Sequence, residues 1–237
     1  MYGNRARIGL IVPSINDVIE PEFNAMRPDG VSVHSTRVLL TEGTIEGLKK
    51  MSEGTEEAAR LIAGAGVNVI AYACTTGSLL KGPGWDQELI NTIERITGVP
   101  TTTTSTAVMK VFREFGISKV AVATPYPKEL DKLEKEFFEA QGINVVKMKG
   151  LGHKDLRGLP LEVAYELACE VDVPEAEAVF ISCTAFKTIT VIEKLEEVLH
   201  KYVFSSNVAT MWDVLRILGI YEPIMGYGKL LEGRYKL

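Results

Sequence analysis

Two stretches of this chain end in the same way as two others. The run IGLIVP (Ile8 to Pro13) is matched by VAVATP (Val120 to Pro125), and VIAYACT (Val69 to Thr75) by VFISCT (Val179 to Thr184). From Pro to Cys the spacing is 61 residues in the first pair and 58 in the second. Apolar runs alone match by chance, because every buried strand needs them. A Cys-Thr ending at nearly the same distance from the same Pro does not, and it marks an internal duplication. The chain is thereby restricted to two similar lobes facing one another.

Within each half, short β-branched apolar runs alternate with longer amphipathic stretches. The expected strands are 7–12, 31–39, 67–73 and 101–103, then 119–124, 143–147, 178–182 and 203–205. Helices are expected over 17–26, 55–65, 86–97, 105–115, 128–141, 161–171, 188–201 and 208–218. Strands that are apolar throughout and joined by helices imply parallel sheets covered on both faces, an α/β fold. Gly66, Gly98, Gly116, Gly142 and Gly219 each follow a helical stretch, where a left-handed residue ends a helix. Asp17, Ser105 and Thr188 stand where N-caps belong. The expected division is a first lobe over 1–106 and a second over 107–207, with a C-terminal helix over 208–237 returning to the first.

Composition excludes several functions. With 237 residues, 46% hydrophobic and 24% charged, the chain is an ordinary globular protein with enough length for a core that needs no disulfides. A net charge of -5 with interspersed signs leaves no basic patch for nucleic acid. No run of apolar residues is long enough to span a membrane, and no apolar signal region follows the first charges, so a cytoplasmic protein is expected. No Gly-x-Gly-x-x-Gly opens a helix after a strand, since Gly64-Ala-Gly66 ends one. Walker loop and Gly-x-Ser-x-Gly elbow are also absent, and His34, His153 and His200 are scattered. The expectation is chemistry without cofactor or metal. A homodimer is only the common state of soluble enzymes.

Three cysteines are too few and too odd in number for a disulfide framework. Cys74 and Cys183 each close a buried strand, and in α/β sheets ligands bind at the carboxyl ends of strands. Each is followed by small or hydroxyl-bearing residues, Thr75-Thr76-Gly77-Ser78 and Thr184-Ala185, whose amides and hydroxyls suit a carboxylate or an enolate. The same environment is expected to lower the thiol pKa and give thiolate near neutrality. A single strand-end Cys is more often packing than chemistry, but a matched pair favours chemistry. Cys169 lies inside a helical pattern and is expected in the core.

The Cys motifs on two α/β lobes resemble the Asp/Glu racemase superfamily. Val12-Pro-Ser-Ile-Asn16, Glu20-Pro-Glu22 and Thr124-Pro-Tyr126 resemble its maleate cis–trans isomerase branch, which includes arylmalonate decarboxylases. The likeness covers nearly the whole chain. It implies two Rossmann-like lobes with four-stranded parallel sheets, related by a pseudo-twofold axis, with the site in the cleft between them. It further implies Cys74 as the nucleophile that adds to an alkene, and Cys183 as the group that exchanges a proton. Asn16, Thr75, Thr76, Tyr126, Thr184 and Ala185 would hold the carboxylates.

Departures narrow the choice. Amino-acid racemases of the superfamily carry an acid after the first strand and often a His after the second Cys-Thr, where this chain has Pro13-Ser14 and Ala185-Phe186. Arylmalonate decarboxylases resemble the chain but keep only the second cysteine. The branch commonly offers an Asn after the sixth strand, where Leu156 stands here. The expected function is therefore isomerisation of maleate or a related small dicarboxylate. A racemase or decarboxylase acting through an enediolate is the alternative, and a two-lobed small-molecule binding protein the non-enzymatic one. Asn16 has a second possible role as a helix cap, and Tyr126 as a turn residue.

Overall fold

A computed structural model describes residues 2–233. Its first sheet consists of β1 (Ala6–Pro13), β2 (Val31–Val38), β3 (Val69–Tyr72) and β4 (Thr101–Thr103), all parallel, in the order β2-β1-β3-β4. The second contains β5 (Lys119–Thr124), β6 (Asn144–Gly150), β7 (Ala178–Ile181) and β8 (Tyr202–Ser205), in the order β6-β5-β7-β8. The two orders are the same once the duplication is allowed for. In each sheet the chain passes from the centre to one edge and then restarts on the other side of the central strand. That reversal opens a crevice at the carboxyl ends of β1 and β3, and of β5 and β7. Pro13 and Cys74 flank one crevice, Pro125 and Cys183 the other.

Helices cover both faces. In the first half they are α1 (Ile19–Met26), α2 (Ile45–Glu53), α3 (Thr55–Ala63), α4 (Thr75–Leu79), α5 (Trp85–Thr97) and α6 (Thr104–Glu114). In the second they are α7 (Lys128–Glu139), α8 (Leu161–Val171), α9 (Ile192–Leu199), α10 (Ser206–Ile217) and α11 (Lys229–Glu232). Ile8, Leu10, Ile11 and Val12 of β1 are all buried, as a central strand covered on both sides requires. At the sheet edge, β2 carries Ser32, His34, Ser35, Thr36 and Arg37 and is only partly covered.

The lobes exchange one helix each. Phe112 of α6 packs edge-on against Phe138 and Phe204 of the second lobe, with centroids 5.4 and 5.6 Å apart. Such pairs add about 0.5–1.5 kcal/mol each beyond their buried area. In return α10 packs on β3 and β4 of the first lobe and on α6. Its Asp213, buried, takes 2.6 Å and 2.8 Å hydrogen bonds from Thr102 and Lys110. The last four residues of the 208–237 segment lie outside the described residues.

Several local expectations need correction. Ser105 does not cap α6: Thr103 sits one residue before the helix in extended backbone and accepts from Thr106 N at 3.1 Å. Nor does Asp17 cap α1. The side chain of Asn16 accepts from the amides of Val18 and Ile19 at 2.9 and 3.0 Å. The helix expected from Thr188 begins only at Ile192, because Glu22 takes the Thr188 and Ile189 amides at 2.7 and 3.2 Å. Two helices (α2 and α4) were not expected at all, and the C-terminal helix expected over 208–237 is two, α10 and α11. The glycine expectation holds: Gly98, at φ +67°, closes α5 by donating to the Glu94 carbonyl.

Candidate active site

Cys74 is the N-cap of α4, so no loop intervenes between its strand and the helix. Its sulfur accepts from Gly77 N at 3.3 Å and from the Thr76 hydroxyl. A Cβ on Gly77 would sit 3.0 Å from that sulfur and 2.8 Å from Met51 Cε, so any side chain there would crowd the sulfur. The first-turn amides of Thr75 and Thr76 have no acceptor inside the helix and face the crevice end of the sheet. Thr75 Oγ1 lies 2.8 Å from Ser206 Oγ, at the start of α10.

Ser206 reaches the other half as well. The Cys183 amide donates to Ser206 Oγ at 3.0 Å. Cys183 has φ +97°, a backbone that residues with a Cβ rarely adopt, and this hydrogen bond helps hold it there. Its sulfur accepts from Ala185 N at 3.4 Å and from the Tyr126 hydroxyl. The strain has a measurable consequence. Cys183→Gly is expected to be more stable than Cys183→Ala by about 1 kcal/mol, a Tm about 2–4 °C higher, because glycine alone relieves the positive φ. Equal melting temperatures for the two variants would show that the loop carries no such strain.

The remaining expected residues come together at one cavity. Asn16, Thr75, Thr76, Tyr126, Thr184 and Ala185 line it with both cysteines, as do Pro13, Ile15, Leu40, Gly43, Leu48 and Leu156. Asn16 Nδ2 donates to Thr184 Oγ1 at 2.9 Å, and that hydroxyl donates to the Ala73 carbonyl at 3.1 Å. Asn16 thus caps α1 and also bridges the two lobes at the cavity wall. The cavity measures about 20 Å³, the room one water-sized body needs. Two loops close it: Gly43 N donates to the Lys154 carbonyl at 2.9 Å, and a Cβ on Gly43 would meet Leu156 at 3.2 Å.

The electrostatics reverse one expectation. Burial pushes the Cys74 thiol up to about 11 and the Cys183 thiol up to about 12, against amide and hydroxyl donors that pull the other way. Desolvation of a thiolate in this closed site outweighs one or two hydrogen bonds. Charge on Cys74 further raises Cys183, so the two sulfurs do not ionise together. Cys169 is half-buried on α8 and takes no part. Among the described residues no cluster of His, Cys, Asp or Glu could hold a metal, and no helix is long and apolar enough to cross a membrane.

Sequence reasoning missed Ser206, the hydroxyl that ties both cysteine strands together, and gave no role to Glu22 of the Glu20-Pro-Glu22 motif, whose carboxyl straps α1 to the second lobe. The symmetric positions of Thr104 and Ser206, each the first helical residue after its lobe's last strand, carried the signal for the former.

The arylmalonate decarboxylase family model matches residues 8–231. The chain belongs to this family. Its members' likeness to the chain extends through sequence and structure alike. A maleate isomerase from Geobacillus stearothermophilus is 30% identical, covering 97% of this chain and 98% of the relative. The crystal structure of the maleate isomerase Iso from Pseudomonas putida S16 superposes with a TM-score of 0.91 at 28% identity, covering 97% and 99% of the two chains. A mutant of the Nocardia farcinica maleate cis–trans isomerase, with a covalently bound succinylcysteine intermediate, gives a TM-score of 0.91 at 26% identity over 96% and 98%. Within the arylmalonate decarboxylase family the chain is an enzyme similar to isomerases, and its two-lobed α/β fold is theirs.

Proposed function

We propose that this enzyme isomerises maleate, or a related small cis-dicarboxylate, to the trans form without a cofactor. The observation that carries the proposal is a pair of cysteines from two duplicated lobes on one closed cavity, each sulfur held by an amide and a hydroxyl. The succinylcysteine found on the Nocardia farcinica enzyme supports a covalent route through one of them.

The reaction starts with one proton shared by the two sulfurs. The Cys74 thiolate forms an S–C bond to one alkene carbon, and the π pair moves onto the neighbouring carbon and its carboxylate. That carbon takes the proton from Cys183, leaving a succinyl adduct on Cys74 and a thiolate at Cys183. The former double bond is now single and rotates. Cys183 then removes the proton again, the S–C bond breaks, and the trans alkene leaves with Cys74 restored as thiolate. The hydroxyl of Tyr126 and the amide of Ala185 stabilise the Cys183 thiolate, as Gly77 and Thr76 do for Cys74. Carboxylates would be held by the amides of Thr75, Thr76 and Thr184 and by the second N–H of the Asn16 side chain, neutral donors in a chain of negative net charge. High thiol pKa values suit the arrival of a dianion: the two sulfurs keep one proton between them, so the site never carries two thiolates against it.

Because the cavity is smaller than any four-carbon diacid, the loops bearing Leu40, Gly43 and Leu156 must part to admit one. The apolar wall of Ile15, Leu40, Leu48 and Leu156 favours a substrate with an apolar substituent on the alkene over maleate itself. Leu156→Asn is expected to raise kcat/KM on maleate about tenfold, the worth of one added hydrogen bond to a charged group. An unchanged or lower value would remove Leu156 from the specificity wall.

The experiment that separates the possible reactions is NMR of a panel of dicarboxylates in deuterated water. An isomerase yields the trans alkene, a racemase exchanges an α-proton without changing the skeleton, and a decarboxylase releases carbon dioxide. If no dicarboxylate turns over and maleate protects neither Cys74 nor Cys183 from alkylation, binding without chemistry replaces the proposal.

A further inference from the structure

Helix α7 carries two carboxyls three residues apart, and each receives the hydroxyl of a residue just before a site loop. Thr124, two residues ahead of Tyr126, donates to Asp131, and its hydroxyl accepts from Tyr126 N at 3.2 Å. Ser182, adjacent to Cys183, donates to Glu134 at 2.7 Å. Asp131 is partly open to solvent. Glu134 is fully buried, and its second oxygen meets no partner.

A buried carboxyl with one oxygen bare is poorly placed to hold a charge. Burial pushes Glu134 up to about 8, and a negative charge there would raise both Tyr126 and Cys183. The cavity must already hold a thiolate beside a dicarboxylate. A neutral acid gives Ser182 the same acceptor without a third negative charge. We propose that Glu134 is a positioning residue which, in its protonated form, braces Ser182 and leaves the Cys183 thiol free to exchange its proton, and whose ionisation hinders that exchange. The proposal rests on Cys183 as the proton-exchanging group. The titratable groups facing Glu134 are Asp131 on its own helix, Tyr126 after β5, Cys183 after β7 and, beyond it, Cys74 after β3. Lys147 and Lys149 of β6 turn to Glu170 instead, and α4 brings no titratable group against α7.

The test follows iodoacetamide alkylation of each cysteine in the full chain against pH, read by peptide mass. In the native protein the rise of the Cys183 rate should flatten near pH 8, as Glu134 loses its proton. In Glu134→Gln the flattening disappears and Cys183 reacts about fivefold faster above that point, while the Cys74 profile stays the same. Ser182→Ala removes the hydrogen bond that favours the carboxylate, so it moves the flattening to higher pH. Ultraviolet absorbance of the Cys183 thiolate, read in a Cys74→Ala, Cys169→Ala background, gives the same curves if the reagent is too bulky for the cavity. Superimposable Cys183 curves for native and Glu134→Gln protein, or equal changes at both cysteines, overturn the proposal. No substrate takes part, so failure of the isomerase reading leaves this result standing.

Discussion

Cys74→Ala is expected to lose isomerisation of maleate and its relatives by about 10⁴-fold or more, while the protein melts within a degree or so of the native one. The size follows from the role. Without the sulfur there is no S–C bond, the alkene keeps its π bond, and no rotation occurs; what remains is a cavity that binds. Stability barely changes because Cys74 is the cap of a five-residue helix that α2, α5, α6 and α7 pack around. Its cap bond, from Gly77 at 3.3 Å, ends on sulfur, a weak acceptor, so little is lost with it. Progress curves by NMR and a thermal melt on the same preparation decide it. A Cys74→Ala protein that isomerises at the native rate would place the chemistry on Cys183 alone, in the manner of the decarboxylases that lack the first cysteine.

Glu22→Ala is expected to lower stability by about 3 kcal/mol or more, a fall in Tm on the order of 6–12 °C. Glu22 is buried and lies across the lobe boundary. It accepts from Thr188 N at 2.7 Å, Ile189 N at 3.2 Å and Asn207 Nδ2 at 2.6 Å. Alanine leaves the two buried amides and one N–H of Asn207 with nothing to bond. Asn207 also donates to the Thr184 carbonyl at 3.1 Å, beside the cavity, so the loss reaches the site. Isomerisation by the folded variant should fall about a hundredfold, the scale of misplacing reacting groups by an ångström. Glu22→Gln keeps the size and one acceptor oxygen and is expected to lose roughly half as much stability. An alanine variant that melts like the native protein would show that Glu22 does not strap the lobes together.

The strands and their cysteines were legible because buried parallel strands write themselves as continuous apolar runs, and a duplication repeats them. Other features were not, for physical reasons. The stretch Thr75-Thr-Gly-Ser-Leu79 is made of poor helix formers and reads as a loop; burial at the lobe boundary overrides that propensity. Helix α2 is short and carries a glycine, Gly47, whose amide the Thr44 hydroxyl caps at 3.1 Å. Glu134 sits in a helix crowded with Lys and Glu pairs and passes for another surface acid. Yet Leu130, Glu134, Phe137 and Phe138 follow helical spacing, and all four are buried, so the signal was present. The thiol pKa direction could not be read at all, because it depends on how tightly the cavity closes. Leu156, which the resemblance sets where the branch offers an Asn, lines the cavity beside Gly43 as part of its closing wall.

The proposed mechanism turns on a covalent bond between Cys74 and the substrate, with Cys183 moving the proton. The direct measurement is the intact and peptide mass of Cys183→Ala protein after exposure to maleate. With its proton partner gone, the adduct forms slowly and cannot revert by the normal path, so a gain of one maleate equivalent is expected on the peptide containing Cys74 and on no other. Maleate turnover at the native rate in that variant, or an adduct found on Cys169 with Cys74 unmodified, would rule out this route.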